Sequence, residues 1–116
     1  MDKNNYKELL SKLHHALDDK LGIDVLILDI SELSSIGDYF IIVNGNNENH
    51  VNALASSVKE ELHKNGHGLL HSEGTGESGW ILLDSYGIIV HIFDKDTREF
   101  YNLEKMWNDA KRVELM

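Results

Sequence analysis

From Tyr6 onward, Leu9, Leu10, Leu13, Ala16, Leu17 and Leu21 return at helical spacing, and Gly22 follows where a C-terminal cap would sit. This predicts a first helix. Val25 to Ile30 then runs almost continuously apolar and β-branched, the pattern of a strand covered on both faces, and Asp38 to Val43 repeats it across a Ser-rich loop. Asn44-Gly45 signals a turn, Asn46 or Asn47 can cap a helix, and Val51, Leu54, Ala55, Val58 and Leu62 form the stripe of a second helix ending before Gly66. Leu69 to Ser72 reads as a short, weak strand. Trp80 to Asp84 and Ile88 to Phe93 read as the two arms of a β-hairpin closed at Ser85-Tyr86-Gly87. Phe100, Leu103, Trp107 and Ala110 then share one helical face, predicting a third helix.

The order α-β-β-α-β-β-β-α predicts an α+β fold over 1–116 as a single domain, with a mixed sheet of about five strands and the helices packed on it. The hairpin adds detail. Alternation puts Trp80, Leu82 and Asp84 on one face and Ile81 and Leu83 on the other. A two-residue turn at Ser85-Tyr86 or at Tyr86-Gly87 aligns Ile89, His91 and Phe93 with Trp80, and Ile88, Val90 and Ile92 with Ile81. A sheet apolar on both faces needs two covers, which three helices do not obviously supply. Either the Trp80, Leu82, Ile89 and His91 face stays partly open, as interfaces do, or the third helix closes it through Phe100, Leu103 and Trp107.

Composition narrows the chemistry. The chain has 116 residues, 20 acidic against 11 basic, a formal charge of −9, and neither Cys nor Pro. Without Cys there is no disulfide framework, thiolate zinc site or thiol nucleophile. The negative balance argues against affinity built on phosphate contacts and favours a basic protein partner. The first twenty residues carry Asp2, Glu8, Asp18 and Asp19, unlike a signal peptide, and no apolar run approaches the ~20 residues of a membrane helix, so a cytoplasmic protein is expected.

Gly74-Thr75-Gly76-Glu77-Ser78-Gly79 matches the dinucleotide fingerprint GxGxxG, but a strand rather than a helix follows and Glu77 would repel phosphate, so a strand connection is the expectation. His63, His67 and His71 recur every fourth residue, yet Gly66 and Gly68 break any helix that would align them, and no metal site is expected. Asp94 and Asp96 could hold Mg in a small nucleotidyltransferase-like enzyme. Their place between a strand and a helix fits an N-cap better.

GWILLDSYGIIVHIF at Gly79 to Phe93, followed by Arg98-Glu99-Phe100-Tyr101-Asn102-Leu103-Glu104 and Trp107-Asn108-Asp109-Ala110, resembles the Iojap family of ribosomal silencing factors. Asp38-Tyr39-Phe40-Ile41-Ile42, Gly45, His50-Val51, Ala53 and Ala55 match its central motif, Glu73-Gly74 precedes the hairpin as in that family, and the similarity runs from Leu9 to Ala110. It implies a nucleotidyltransferase-related fold without the catalytic residues, and no cofactor. It also implies a repressor that binds the large ribosomal subunit through ribosomal protein fourteen and blocks joining of the small subunit. Homodimers are a further expectation of the family.

The resemblance places partner binding on Trp80, Leu82, Asp84, Ile89 and His91, with Trp80 as anchor and Asp84 paired to a Lys or Arg of the partner. His91 could equally be a cross-strand support for the Trp80 ring. Arg98 and Tyr101 match the last motif, Arg98 being favoured for an internal salt bridge. Asp38 and Tyr39 are expected to be structural, the Asp bonding loop amides and the ring packing on the sheet. One departure stands out: family members usually have Gly-Asp at the hairpin turn, whereas this chain reads Ser85-Tyr86-Gly87, which makes Tyr86 a possible exposed contact.

Overall fold

Leu9, Leu10, Leu13 and Leu17 are buried, and they lay α1 (Lys3–Asp19) against the sheet beside α2 (Glu48–Lys64), whose stripe of Val51, Leu54, Ala55, Val58 and Leu62 is buried with them. The computed structural model describes residues 3–115. Its strands are β1 (Ile23–Asp29), β2 (Tyr39–Gly45), β3 (His71–Glu73), β4 (Trp80–Ser85), β5 (Ile88–Asp94) and β6 (Lys111–Arg112), with α3 (Lys95–Tyr101) and α4 (Leu103–Met106) between the last two.

They form one sheet in the order β3-β4-β5-β2-β1-β6, in which only β2 and β5 run parallel. This is the expected mixed α+β architecture with one strand more. The addition, β6, is two exposed residues hydrogen-bonded to the edge of β1, too short to show a sequence period. The weak strand lies two residues later than predicted, because Leu69 and Leu70 are exposed at the sheet edge and their apolar character reports no core.

Helix ends follow local chemistry. Asn47 caps α2 by accepting from the His50 amide at 2.8 Å. At the end of α1 the left-handed residue is Leu21, at φ 59°, with Gly22 N–H donating to the Leu17 carbonyl and Leu21 N–H to that of Asp18, the bonding of a Schellman motif. Gly22 is needed for space, since a Cβ there would stand 2.9 Å from a Val43 methyl.

The predicted third helix is broken. Asn102 adopts a left-handed conformation (φ 46°, ψ 59°) that Asn tolerates better than most residues, and the chain restarts as α4. The break separates residues that a continuous helix would align: Leu103 is buried, whereas Phe100 is 80% exposed.

The sheet therefore has two unlike faces. Ile27, Tyr39, Ile41, Val43, Ile81, Leu83, Ile88, Val90 and Ile92 are buried under α1 and α2. Leu28, Ile30, Phe40, Ile42, Ile89 and Phe93 form the second core with Leu103, while Trp80, Leu82, Trp107 and Ala110 are only partly buried beside it. Closure by the last helices is thus partial: α4 and the turn after it cover the β1–β2 side, and the outer part of the hairpin stays uncovered.

Candidate functional site

The hairpin register is set by a two-residue turn. Ser85 pairs with Ile88, and both Tyr86 (φ 46°) and Gly87 (φ 100°) take positive φ, as a type I′ turn requires. Trp80 then pairs with Phe93, Leu82 with His91 and Asp84 with Ile89, all on the side of the sheet away from α1 and α2. On the neighbouring edge strand, His71 lies opposite Asp84 and Glu73 opposite Leu82, so both join this face.

Trp80 is the centre of the cluster. Its indole ring lies 5.0 Å from that of Phe93 and 4.7 Å from that of Tyr101, and its Nε1–H donates to His91 Nδ1 at 3.2 Å. That bond fixes the imidazole: with Nδ1 accepting, the proton of the neutral ring is on Nε2. His91 is 5% exposed, Nε2 has no hydrogen-bond partner among the described residues, and burial pushes the pKa down to about 4. The ring is therefore neutral at pH 7 and is wedged between Trp80 and Phe40, the latter 4.7 Å away and nearly perpendicular. Ile89 is also buried. Of the residues carried over from the resemblance, Trp80, Leu82 and Asp84 are half-buried, Tyr86 is exposed at the turn, and Ile89 and His91 lie beneath them.

Arg98 faces inward. Its Nε donates to Glu104 at 3.1 Å, and Nη1 donates to Asn44 Oδ1 at 2.9 Å and to the Ile23 carbonyl at 3.3 Å, tying α3 and α4 to the ends of β1 and β2. Tyr39 is buried, its ring 5.4 Å from that of Tyr6. The Asp38 carboxylate meets the Tyr6 hydroxyl rather than loop amides; burial first, and then the Asp38 charge, raises the Tyr6 pKa. That hydroxyl also reaches the Tyr86 carbonyl at 3.2 Å, while the Asp38 and Tyr39 amides both donate to the Gly87 carbonyl. Asp38 and Tyr39 thus clamp the base of the hairpin turn.

The site residue that the sequence did not disclose is Phe100, on α3, beside Tyr101, which the resemblance already offered as a candidate. Phe100 and Tyr101 line a groove of about 720 Å³ together with Trp80, Leu82, Glu73 and Asp96. Helical spacing puts Phe100 on one face with Leu103 and Trp107; the break at Asn102 turns it out, and Asn before a Leu-Glu pair is a faint signal for that break.

The catalytic motifs are occupied otherwise. Asp94 Oδ1 caps α3, accepting from the Thr97 amide at 2.8 Å. The GxGxxG segment is the connection from β3 to β4: the Gly76 amide donates to Asn52 of α2 at 2.9 Å, and a Cβ on Gly74 would stand 2.0 Å from the Trp80 carbonyl oxygen. His67 bonds the Ser85 carbonyl and His71 bonds Glu73. Among the described residues no three His, Asp or Glu side chains converge on a metal position, and no helix is long and apolar enough to cross a membrane.

Residues 3–116 match the family model described as "Ribosomal silencing factor during starvation". The chain is 40% identical over 111 residues to "Ribosomal silencing factor RsfS" of Bacillus subtilis, covering 96% of this chain and 94% of that one. A crystal structure of a protein from Chromobacterium violaceum superposes with a TM-score of 0.85 at 30% identity, over 99% of this chain and 92% of the other. A more distant relative, 25% identical over 72% of this chain and 38% of its own length, is "Mitochondrial assembly of ribosomal large subunit protein 1" of Mus musculus. With its fold and most of its length matched, the chain belongs to the ribosomal silencing factor family.

Proposed function

We propose that this protein represses translation in the cytoplasm without catalysing a reaction, by seating the Trp80 face of its hairpin on ribosomal protein fourteen of the large subunit so that the small subunit cannot join. The observation that carries the reading is the unfinished cover of that face. Trp80 and Leu82 remain half-buried beside the exposed rings of Phe100 and Tyr101, and Glu73, Asp84 and Asp96 rim them, on a chain of net charge −9. An apolar centre inside an acidic rim suits a basic protein surface, with the charge guiding approach and the buried rings supplying affinity. The relatives' names point to the ribosome, and one of them to its large subunit.

In this reading Trp80 is the anchor, Leu82 and Tyr101 flank it, Asp84 pairs with a Lys or Arg of the partner, and Tyr86 touches the partner at the tip of the turn. Ile89 and His91 hold the anchor from beneath; Arg98, Asp38 and Tyr39 fix the frame. A homodimer would use the same face and so compete with the ribosome. Co-sedimentation with separated large subunits, small subunits and joined ribosomes tests the proposal. Binding to free large subunits alone, lost on adding purified ribosomal protein fourteen, is the expected result; equal binding to joined ribosomes, or none to large subunits, would overturn it.

A further inference from the structure

The groove beside Trp80 is walled by aromatic rings and by acid. The Trp80 and Tyr101 planes are inclined at 49° with centroids 4.7 Å apart, and Phe100 stands at 87° to Tyr101 at 5.0 Å. Glu73 and Asp96 line the same groove, and among the described residues no Lys or Arg does. One Glu73 oxygen meets His71 at 2.8 Å, whereas no hydrogen bond or ion pair engages the Asp96 side chain among the described residues. The chain's two arginines are elsewhere: Arg98 is bonded to Glu104 and Asn44, and Arg112 is on β6 at the far edge of the sheet.

Aromatic faces and carboxylates attract the same thing, a cation. A purely apolar insert would leave Asp96 without a partner and Glu73 with His71 alone. An ammonium offers a compact, strongly hydrated charge, whereas a guanidinium is flat, sheds water more readily and can lie on an indole while its edge bonds carboxylates. We infer that this groove receives an arginine side chain of the protein partner, its plane against Trp80 and Tyr101, its N–H groups bonded to Asp96 and Glu73, and Phe100 covering its stem. The inference rests on the docking reading and specifies what the partner must present there.

The test is a titration of the isotopically labelled chain with N-acetyl-arginine amide and with its uncharged citrulline counterpart, following the Trp80 indole N–H signal in a Trp107→Phe background. The arginine compound should shift that signal saturably and the citrulline compound should not. The double variant Glu73→Gln, Asp96→Asn, both at exposed positions, should lose most of the response. Equal shifts from both compounds, no shift from either, or a full response in the double variant would each overturn the inference.

On large subunits the same double variant should bind roughly tenfold more weakly, and Phe100→Ala several-fold more weakly. If large subunits bind the wild type and the double variant alike, the arginine site is wrong and the docking reading stands. If they bind neither while the arginine titration succeeds, the docking reading fails and the groove keeps its chemistry.

Discussion

On one side of the sheet, Ile81, Leu83, Val90 and Ile92 meet two 17-residue helices and are sealed; on the other, Phe40, Phe93, Trp80 and Leu82 meet only the short α3 and α4 and the turn that follows. Both faces are apolar, so hydrophobicity does not distinguish them. Cover does. A face closed by long helices contributes to stability alone, while a face closed by a short, broken helix leaves rings whose remaining area is buried only by another molecule. The same hairpin strands serve both ends, because alternation gives each residue one side or the other.

If that division is sound, substitutions on the two faces should separate stability from binding. Leu54→Ala, at a fully buried site under the helices, should cost about 3 kcal/mol of unfolding free energy in denaturant titrations while the folded fraction binds large subunits normally. Trp80→Ala should do the reverse, weakening large-subunit binding by about 2 kcal/mol or more in co-sedimentation, with a smaller loss of stability because the ring is already half-exposed. A Leu54→Ala protein that is folded yet no longer binds would erase the distinction.

His91 sharpens it by pH. Its folded pKa, about 4, lies below the 6.5 of the unfolded residue, so the unfolded chain takes up protons first as pH falls. The contribution is fully present above pH 6.5 and is lost between about 6.5 and 4, a decline of about 2 kcal/mol from pH 7 to 5. His91→Phe should remove that slope from the pH dependence of stability, and with it any acid-induced loosening of Trp80. An unchanged slope would place the sensitivity elsewhere.

The smallest effect is at the turn. Tyr86 carries a left-handed backbone that an L side chain holds at a cost of roughly 1–2 kcal/mol, so Tyr86→Gly should raise stability by about 0.5 kcal/mol once the greater freedom of unfolded glycine is set against the relief. If Tyr86 is also a contact, the same variant binds more weakly while being more stable, a combination that strain alone does not produce.

Which of these features were readable beforehand follows from their physics. The two hairpin faces, α1, α2 and a cap at Asp94 or Asp96 were legible because period-two and helical alternation and capping chemistry are local, and it is Asp94 that caps. β6 was not, since two exposed residues on a sheet edge carry no period. Nor was the exposure of Phe100: spacing joined Phe100 to Leu103 and Trp107, and one left-handed residue, Asn102, separates them. The identities of Trp80, Leu82 and Asp84 were visible, but that Ile89 and His91 lie beneath them depends on how far the chain after β5 reaches back over the sheet, which is a tertiary matter.

The most direct test of the central claim, that the incompletely covered face is where the ribosome sits, is hydrogen exchange of the chain free and bound to large subunits. Added protection is expected across Trp80 to Ser85 and α3, with α1 and α2 unchanged. Protection confined to α1 and α2 would contradict it.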